Sequence, residues 1–180
     1  MSTADDIFAI FQRRGASAYF GECVSVTAHC LQTAWFARRE AAPQPLVLAA
    51  LLHDIGHLIE DCPDDIAEWT EDGRHEAVGA AWLARRFGPE VTEPVRLHVP
   101  AKRYLCAAEP GYLAALSGAS VHTLKLQGGP MSAAEVAAFE REPYFREAIL
   151  VRRCDDRGKV ADLETTALPE YRPLIEALQR

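Results

Sequence analysis

No run of about 20 apolar residues occurs anywhere in this chain of 180 residues, so no segment reads as a membrane-spanning helix. Cysteine is sparse and unpaired in pattern: Cys23, Cys30, Cys62, Cys106 and Cys154 form no CxxC motif and are odd in number. That excludes a disulfide framework and predicts reduced thiols. Positive charge is in deficit, with 19 Lys and Arg against 26 Asp and Glu and a formal net charge of −7. Nucleic acid is thereby disfavoured as a partner, because a phosphate backbone demands clustered cations. A small anionic substrate is not, since a few local cations suffice for it. The opening residues, MSTADDIFAI, carry acid where a signal peptide carries basic charge, so the expected location is cytoplasmic. Strand-like alternation, internal repeats, low-complexity tracts and linkers are all lacking, and the oligomeric state is not written in the sequence.

What is present is a single ordinary globular composition, 49% apolar and 25% charged, in a length that supports one self-sufficient core. The fold class is all-α, one domain over residues 1–180. Prolines and glycines punctuate helical stretches expected near 4–14, 25–40, 45–59, 74–87, 92–104, 112–117, 132–142, 144–159 and 168–178. The third of these is apolar on most sides and should be the buried central helix. The acidic segment 60–73 reads as a loop with a short turn near Ile66–Trp69, and 123–130 as a turn-rich loop. Ser132 with Glu135 makes a capping box.

Histidine is rare, with six in all, and their placement carries the chemistry. The centre is His53-Asp54, set in the most apolar helix within Leu51-Leu52-His53-Asp54-Ile55-Gly56-His57. Two ionisable side chains there are costly to bury without compensation. A metal ion supplies it, since neutral imidazole and carboxylate are both ligands; a hydrogen-bonded His–Asp pair is the alternative. His57 lies one helical turn on and projects from the same face. His29 sits in an amphipathic helix upstream, His75 opens the fourth helix, His98 lies in the next, and Asp155 lies in a late one. His122 has no matching role in the pattern and reads as structural or exposed.

This order of His29, His53-Asp54 and Asp155 resembles the HD-domain superfamily, and His75 with His98 matches the added pair of its dinuclear branch. The resemblance spans residues 19 to 159 and implies a helical bundle in which His29, His53, Asp54, His75, His98 and Asp155 hold two metal ions, with Asp54 bridging. Fold alone does not fix reaction. Most HD domains are phosphohydrolases that activate water, and a dinuclear phosphohydrolase is one reading; a catalytically silent ligand-binding module is another.

Four segments resemble a narrower group, the mixed-valent diiron oxygenases that cleave carbon–phosphorus bonds. They are Tyr19-Phe20-Gly21-Glu22-x-x-Ser25, His53-Asp54-Ile55-Gly56-His57-Leu58, His98-Val99-x-Ala101-Lys102-Arg103-Tyr104-Leu105 and Thr123-Leu124-x-x-Gln127-Gly128-Gly129. The resemblance implies two iron ions, one ferrous and one ferric, with O2 and a small phosphonate as substrates. It implies a catalytic lid formed by Tyr19 and Glu22, in which Tyr19 ligates the second iron until substrate enters, and phosphonate contacts from His57, Lys102, Ser120, Thr123 and Gln127. Nitrogen and oxygen donors without thiolate suit iron but equally manganese or zinc. Cys23 and the segment 62–74, with Trp69 and Arg74, depart from the group's pattern at the end where a substrate amine would be read. Glu22 is the countercharge for that amine, and few further acceptors surround it. A primary ammonium needs three acceptors, whereas a trimethylammonium prefers a carboxylate and aromatic walls. The expected substrate is therefore the N-trimethyl form of 1-hydroxy-2-aminoethylphosphonate, yielding glycine betaine and phosphate, with glycine as the product from the primary amine.

Overall fold

The computed structural model describes residues 2–59 and 70–180. Among them there are eleven α-helices and no strand: α1 Thr3–Arg14, α2 Val26–Arg39, α3 Gln44–Leu52, α4 Ile55–Ile59, α5 His75–Leu83, α6 Pro89–Ala108, α7 Tyr112–Ala115, α8 Gly118–Leu126, α9 Ala133–Phe139, α10 Phe145–Arg157 and α11 Arg172–Leu178. The turn expected at Ile66–Trp69, with Cys62 and Trp69, lies outside the described residues. No helix among those described is long and apolar enough to cross a membrane.

The helix ends follow local chemistry. Ser2 and Ser132 begin capping boxes with Asp5 and Glu135, and the side chains of Ser25 and Ser117 accept from the backbone N–H three residues on. Pro89 takes the first position of α6, where its missing N–H costs nothing. Every residue from Leu46 to Leu52 in α3 is buried, as its uniform apolarity requires. Helices α2, α6 and α10 pack around it, α4 and α5 close one side, and α1 and α11 cover the end.

Three expectations need correction. The third helix does not run through to Ile59: α3 stops at Leu52 and α4 starts at Ile55, leaving His53 and Asp54 in the turn between them. The His53 ring takes the Ala50 carbonyl at 2.8 Å, an acceptor of the last helical turn. No glycine or proline marks the break, so periodicity could not reveal it. The stretch from Thr123 is not loop from its start, because α8 runs to Leu126, and only then do Gly128 and Gly129 turn the chain with φ of 93° and 73°. Helix α6 is also longer than expected, starting at Pro89 and ending at Ala108, with Pro94 and Pro100 inside it.

Helices α4 and α5 meet backbone to backbone. A Cβ on Gly56 would stand 2.0 Å from the His75 carbonyl oxygen, and one on Gly79 would stand 3.2 Å from the Gly56 nitrogen. That contact sets His75 against Asp54. Gly56→Ala should therefore lower stability by about 3 kcal/mol or more, the upper end of overpacking costs, because backbone cannot yield as a side chain does. A chemical denaturation midpoint equal to that of the parent protein would show that the two helices are not held this closely.

Candidate metal centre

Six side chains from five places in the chain converge: His29 from α2, His53 and Asp54 from the α3–α4 turn, His75 from the start of α5, His98 from mid-α6 and Asp155 from α10. All are buried. The main chain dictates how three rings face. His29 Nδ1 lies 2.8 Å from the Gly158 carbonyl, His53 Nδ1 2.8 Å from that of Ala50, and His98 Nδ1 2.7 Å from that of Val95. A carbonyl only accepts, so each Nδ1 must carry the proton and each neutral ring presents a bare Nε2. The Nε2 atoms of His29 and His53 nonetheless stand 3.1 Å apart. Two lone pairs at that distance repel unless a cation lies against both.

Asp54 divides its oxygens between two groups. Its Oδ2 is 3.6 Å from His29 Nε2 and 3.4 Å from His53 Nε2; its Oδ1 is 3.3 Å from His75 Nε2 and 3.5 Å from His98 Nε2. Within each of the triads His29–His53–Asp54 and Asp54–His75–His98, the donor atoms lie within 4.8 Å of one another. Asp155 Oδ1 adds a further oxygen 3.3 Å from His29 Nε2, and that atom is buried with no hydrogen-bond partner. The donor set fits two metal ions sharing one carboxylate, all nitrogen and oxygen. Electrostatics point the same way. Burial alone would push His53 down, yet the Asp54 and Asp155 carboxylates lift it to about 9. The site draws in positive charge, and in the absence of metal a proton serves.

A pocket opens from this cluster. Lining it are Tyr19 and Phe20 from the α1–α2 loop, His57 on α4, Lys102 on α6, Ser120 and Thr123 on α8, Gln127 just beyond it, and Arg152 and Lys159. The loop is shaped by Phe20 at φ 47° and Gly21 at φ 82°, with Glu22 N–H donating to the Tyr19 carbonyl at 2.8 Å. A bulky residue in the left-handed region is strained. The turn folds Tyr19 inward, where its ring stacks on His29 at 3.8 Å and its hydroxyl donates to Asp54 Oδ2 at 2.7 Å. Burial and the two carboxylates hold that phenol protonated well above its usual range. His57 stacks on His75 at 3.8 Å; burial and the neighbouring ring keep it neutral. Lys102 Nζ donates to Thr123 Oγ1 at 2.8 Å, and the buried Gln127 Oε1 has no hydrogen-bond partner. Glu22 is not among the lining residues; its Oε1 lies 3.2 Å from Nζ of Lys159, which is one of them. His122, half-buried on α8, is not among the lining residues.

A family model described as HD domain matches residues 26–157. The chain belongs to the HD-domain family. Two curated relatives match this HD domain over nearly its full length. A [1-hydroxy-2-(trimethylamino)ethyl]phosphonate dioxygenase (glycine-betaine-forming) of Leisingera caerulea is 45% identical over 96% of this chain and 88% of its own. A hydroxymethylphosphonate dioxygenase of Gimesia maris is also 45% identical, over 95% and 85%.

Sequence reasoning missed Arg152 and Lys159. Arg152 is buried and donates to Asp155 Oδ2 at 2.7 Å, to Asp156 Oδ1, to Tyr112 Oη at 3.1 Å and to Ser120 Oγ at 3.5 Å. It ties the Asp155 carboxylate, beside His29, to the pocket wall. Its spacing of three and four residues before Asp155 and Asp156 was a readable helical signal; Lys159, after the end of α10, had none. Removing the cation strands two carboxylates, so Arg152→Met should cost about 3–5 kcal/mol in urea denaturation. Asp156→Asn in that background should recover part of it. A loss below about 1 kcal/mol, the scale of a surface pair, would contradict this arrangement.

Proposed function

We propose that this HD domain is an O2-dependent dioxygenase that cleaves the carbon–phosphorus bond of a 1-hydroxyalkylphosphonate at a mixed-valent Fe2+/Fe3+ pair. The observation that carries the reading is the pocket itself: two nitrogen–oxygen triads share Asp54 at its floor, and a buried lysine with Thr123 and Gln127 stands on its wall. The two relatives named as phosphonate dioxygenases support it. The favoured substrate is [1-hydroxy-2-(trimethylamino)ethyl]phosphonate, with glycine betaine and phosphate as products.

The redox balance closes without an external reductant. Converting the hydroxylated carbon to a carboxylate while phosphorus leaves as phosphate removes four electrons, and O2 accepts four. When bound, the metal pair supplies Lewis-acid seats for the C1 hydroxyl and a phosphonate oxygen and the redox exchange with O2. The protein's own groups do the rest. Lys102 exchanges Thr123 for a phosphonate oxygen, a charge-assisted hydrogen bond. The neutral His57 ring has one N–H to donate, and Ser120, Thr123 and Gln127 line the same wall. Tyr19 gives up its hold on Asp54 as substrate enters, and Tyr19 with Phe20 offers aromatic walls to a quaternary ammonium.

Oxygen dependence tests the reading. Iron-loaded protein with this phosphonate should consume O2 and release phosphate in equal amounts under air, and release none under argon. Oxygen-independent phosphate release from a phosphate monoester, with none from this phosphonate under air, marks a phosphohydrolase instead.

Lys102 generates a second test. Burial, reinforced by the Arg152 charge, pushes its ammonium down to about 7 in the free protein. Only the protonated form binds phosphonate strongly, so KM should rise as pH climbs past about 7 while kcat, set in the occupied complex, stays flat. Lys102→Ala should raise KM about tenfold or more at pH 7, and Lys102→Arg should remove the alkaline rise. A KM indifferent to Lys102→Ala would place the phosphonate elsewhere.

A further inference from the structure

Lys159 has no part in the roles given so far, yet it stands where the lid meets the pocket. It follows Gly158, the residue whose carbonyl holds the His29 ring. Its ammonium lies 3.1 Å from Ser117 Oγ, 3.1 Å from Ser120 Oγ and 3.2 Å from Glu22 Oε1, with the Tyr19 ring 5.8 Å away. The Cys23 thiol donates to the Lys159 carbonyl at 3.3 Å, so the lid turn is fastened to this residue twice.

The other pocket cations are committed elsewhere: Lys102 to Thr123, Arg152 to Asp155 and Asp156. Among the carboxylates of the described residues, Asp54 and Asp155 face the histidine cluster, while Glu22 faces Lys159. Glu22 Oε1 is buried and accepts no aligned hydrogen bond, so the Lys159 charge is what offsets its burial. A half-buried carboxylate whose inner oxygen accepts no hydrogen bond is a seat for a second cation.

We propose that Lys159 is a specificity-determining residue, the resident counterion of Glu22 with which the ammonium end of a substrate must compete. An ammonium-bearing phosphonate takes Glu22 over, and Lys159 remains on Ser117 and Ser120, towards the phosphonate wall. A phosphonate without nitrogen leaves the Glu22–Lys159 pair intact. The two relatives frame why one ion pair matters: at the same 45% identity, one is named for a trimethylamino substrate and the other for hydroxymethylphosphonate, which has no nitrogen. Overall similarity therefore leaves this end of the substrate open. The inference rests on the phosphonate reading above.

The test is binding without turnover. Metal-loaded protein, kept anaerobic, is titrated calorimetrically with [1-hydroxy-2-(trimethylamino)ethyl]phosphonate and with hydroxymethylphosphonate. The quantity compared is the ratio of the two affinities, which cancels any general loss of positive charge. In Lys159→Gln and Lys159→Met the ratio should move about tenfold towards the trimethylamino ligand, because Glu22 is left without its resident cation. Lys159→Arg should hold the parental ratio, and Glu22→Gln should move it the opposite way. An unmoved or reversed ratio in either neutral variant overturns the inference while leaving the phosphonate reading standing. Binding of neither ligand by the parent protein overturns both.

Discussion

Two imidazole lone pairs facing each other across 3.1 Å, those of His29 and His53, are the constraint around which this molecule is organised. Each ring directs its Nδ1–H to a main-chain carbonyl, Gly158 for one and Ala50 for the other. Among the described residues the carboxylates that approach these two nitrogens, those of Asp54 and Asp155, are negative. Such an arrangement is stable only with positive charge at its centre. The second triad repeats the demand through the other oxygen of Asp54. A bridging carboxylate with four imidazoles and a further aspartate is therefore a request for two ions, written in hydrogen bonds that the scaffold itself supplies.

The scaffold serves that request in specific ways. The α3–α4 break sets His53 and Asp54 at the end of a fully buried helix, where neither can relax towards water. Glycine at 56 lets α5 come close enough to bring His75 to Asp54 Oδ1. Arg152 sits behind Asp155, so one carboxylate oxygen is committed to a guanidinium and the other is left for metal. The same guanidinium reaches Ser120, which joins the metal floor to the pocket wall. Tyr19 on one side and Arg152 on the other thus tie the loop before α2 and the pocket wall to the buried carboxylates.

Much of this was legible in the sequence. The helical class followed from periodicity and punctuation, and the six proposed ligands follow from an order of histidines and aspartates too unusual to be scattered surface residues. The structure brings all six together and lines the pocket with Tyr19, His57, Lys102, Ser120, Thr123 and Gln127. The helix break at His53-Asp54 was hidden because a helix can end on a side-chain hydrogen bond with no glycine or proline to announce it. Gln127 sits just past the end of α8 because that helix extends through residues resembling a turn-rich stretch. Lys159 was invisible for a different reason: its importance arises from Glu22, 137 residues earlier, and such long-range pairing leaves no local pattern.

The central claim is that the protein needs two ions joined through Asp54, and counting metal tests it most directly. Protein purified without chelator and loaded anaerobically with ferrous iron is analysed by elemental analysis alongside Asp54→Ala. The account predicts about two ions per chain in the parent and almost none in the variant, since the shared carboxylate belongs to both triads. One ion per chain in fully loaded parent protein, or an Asp54→Ala variant that still binds two, would contradict it.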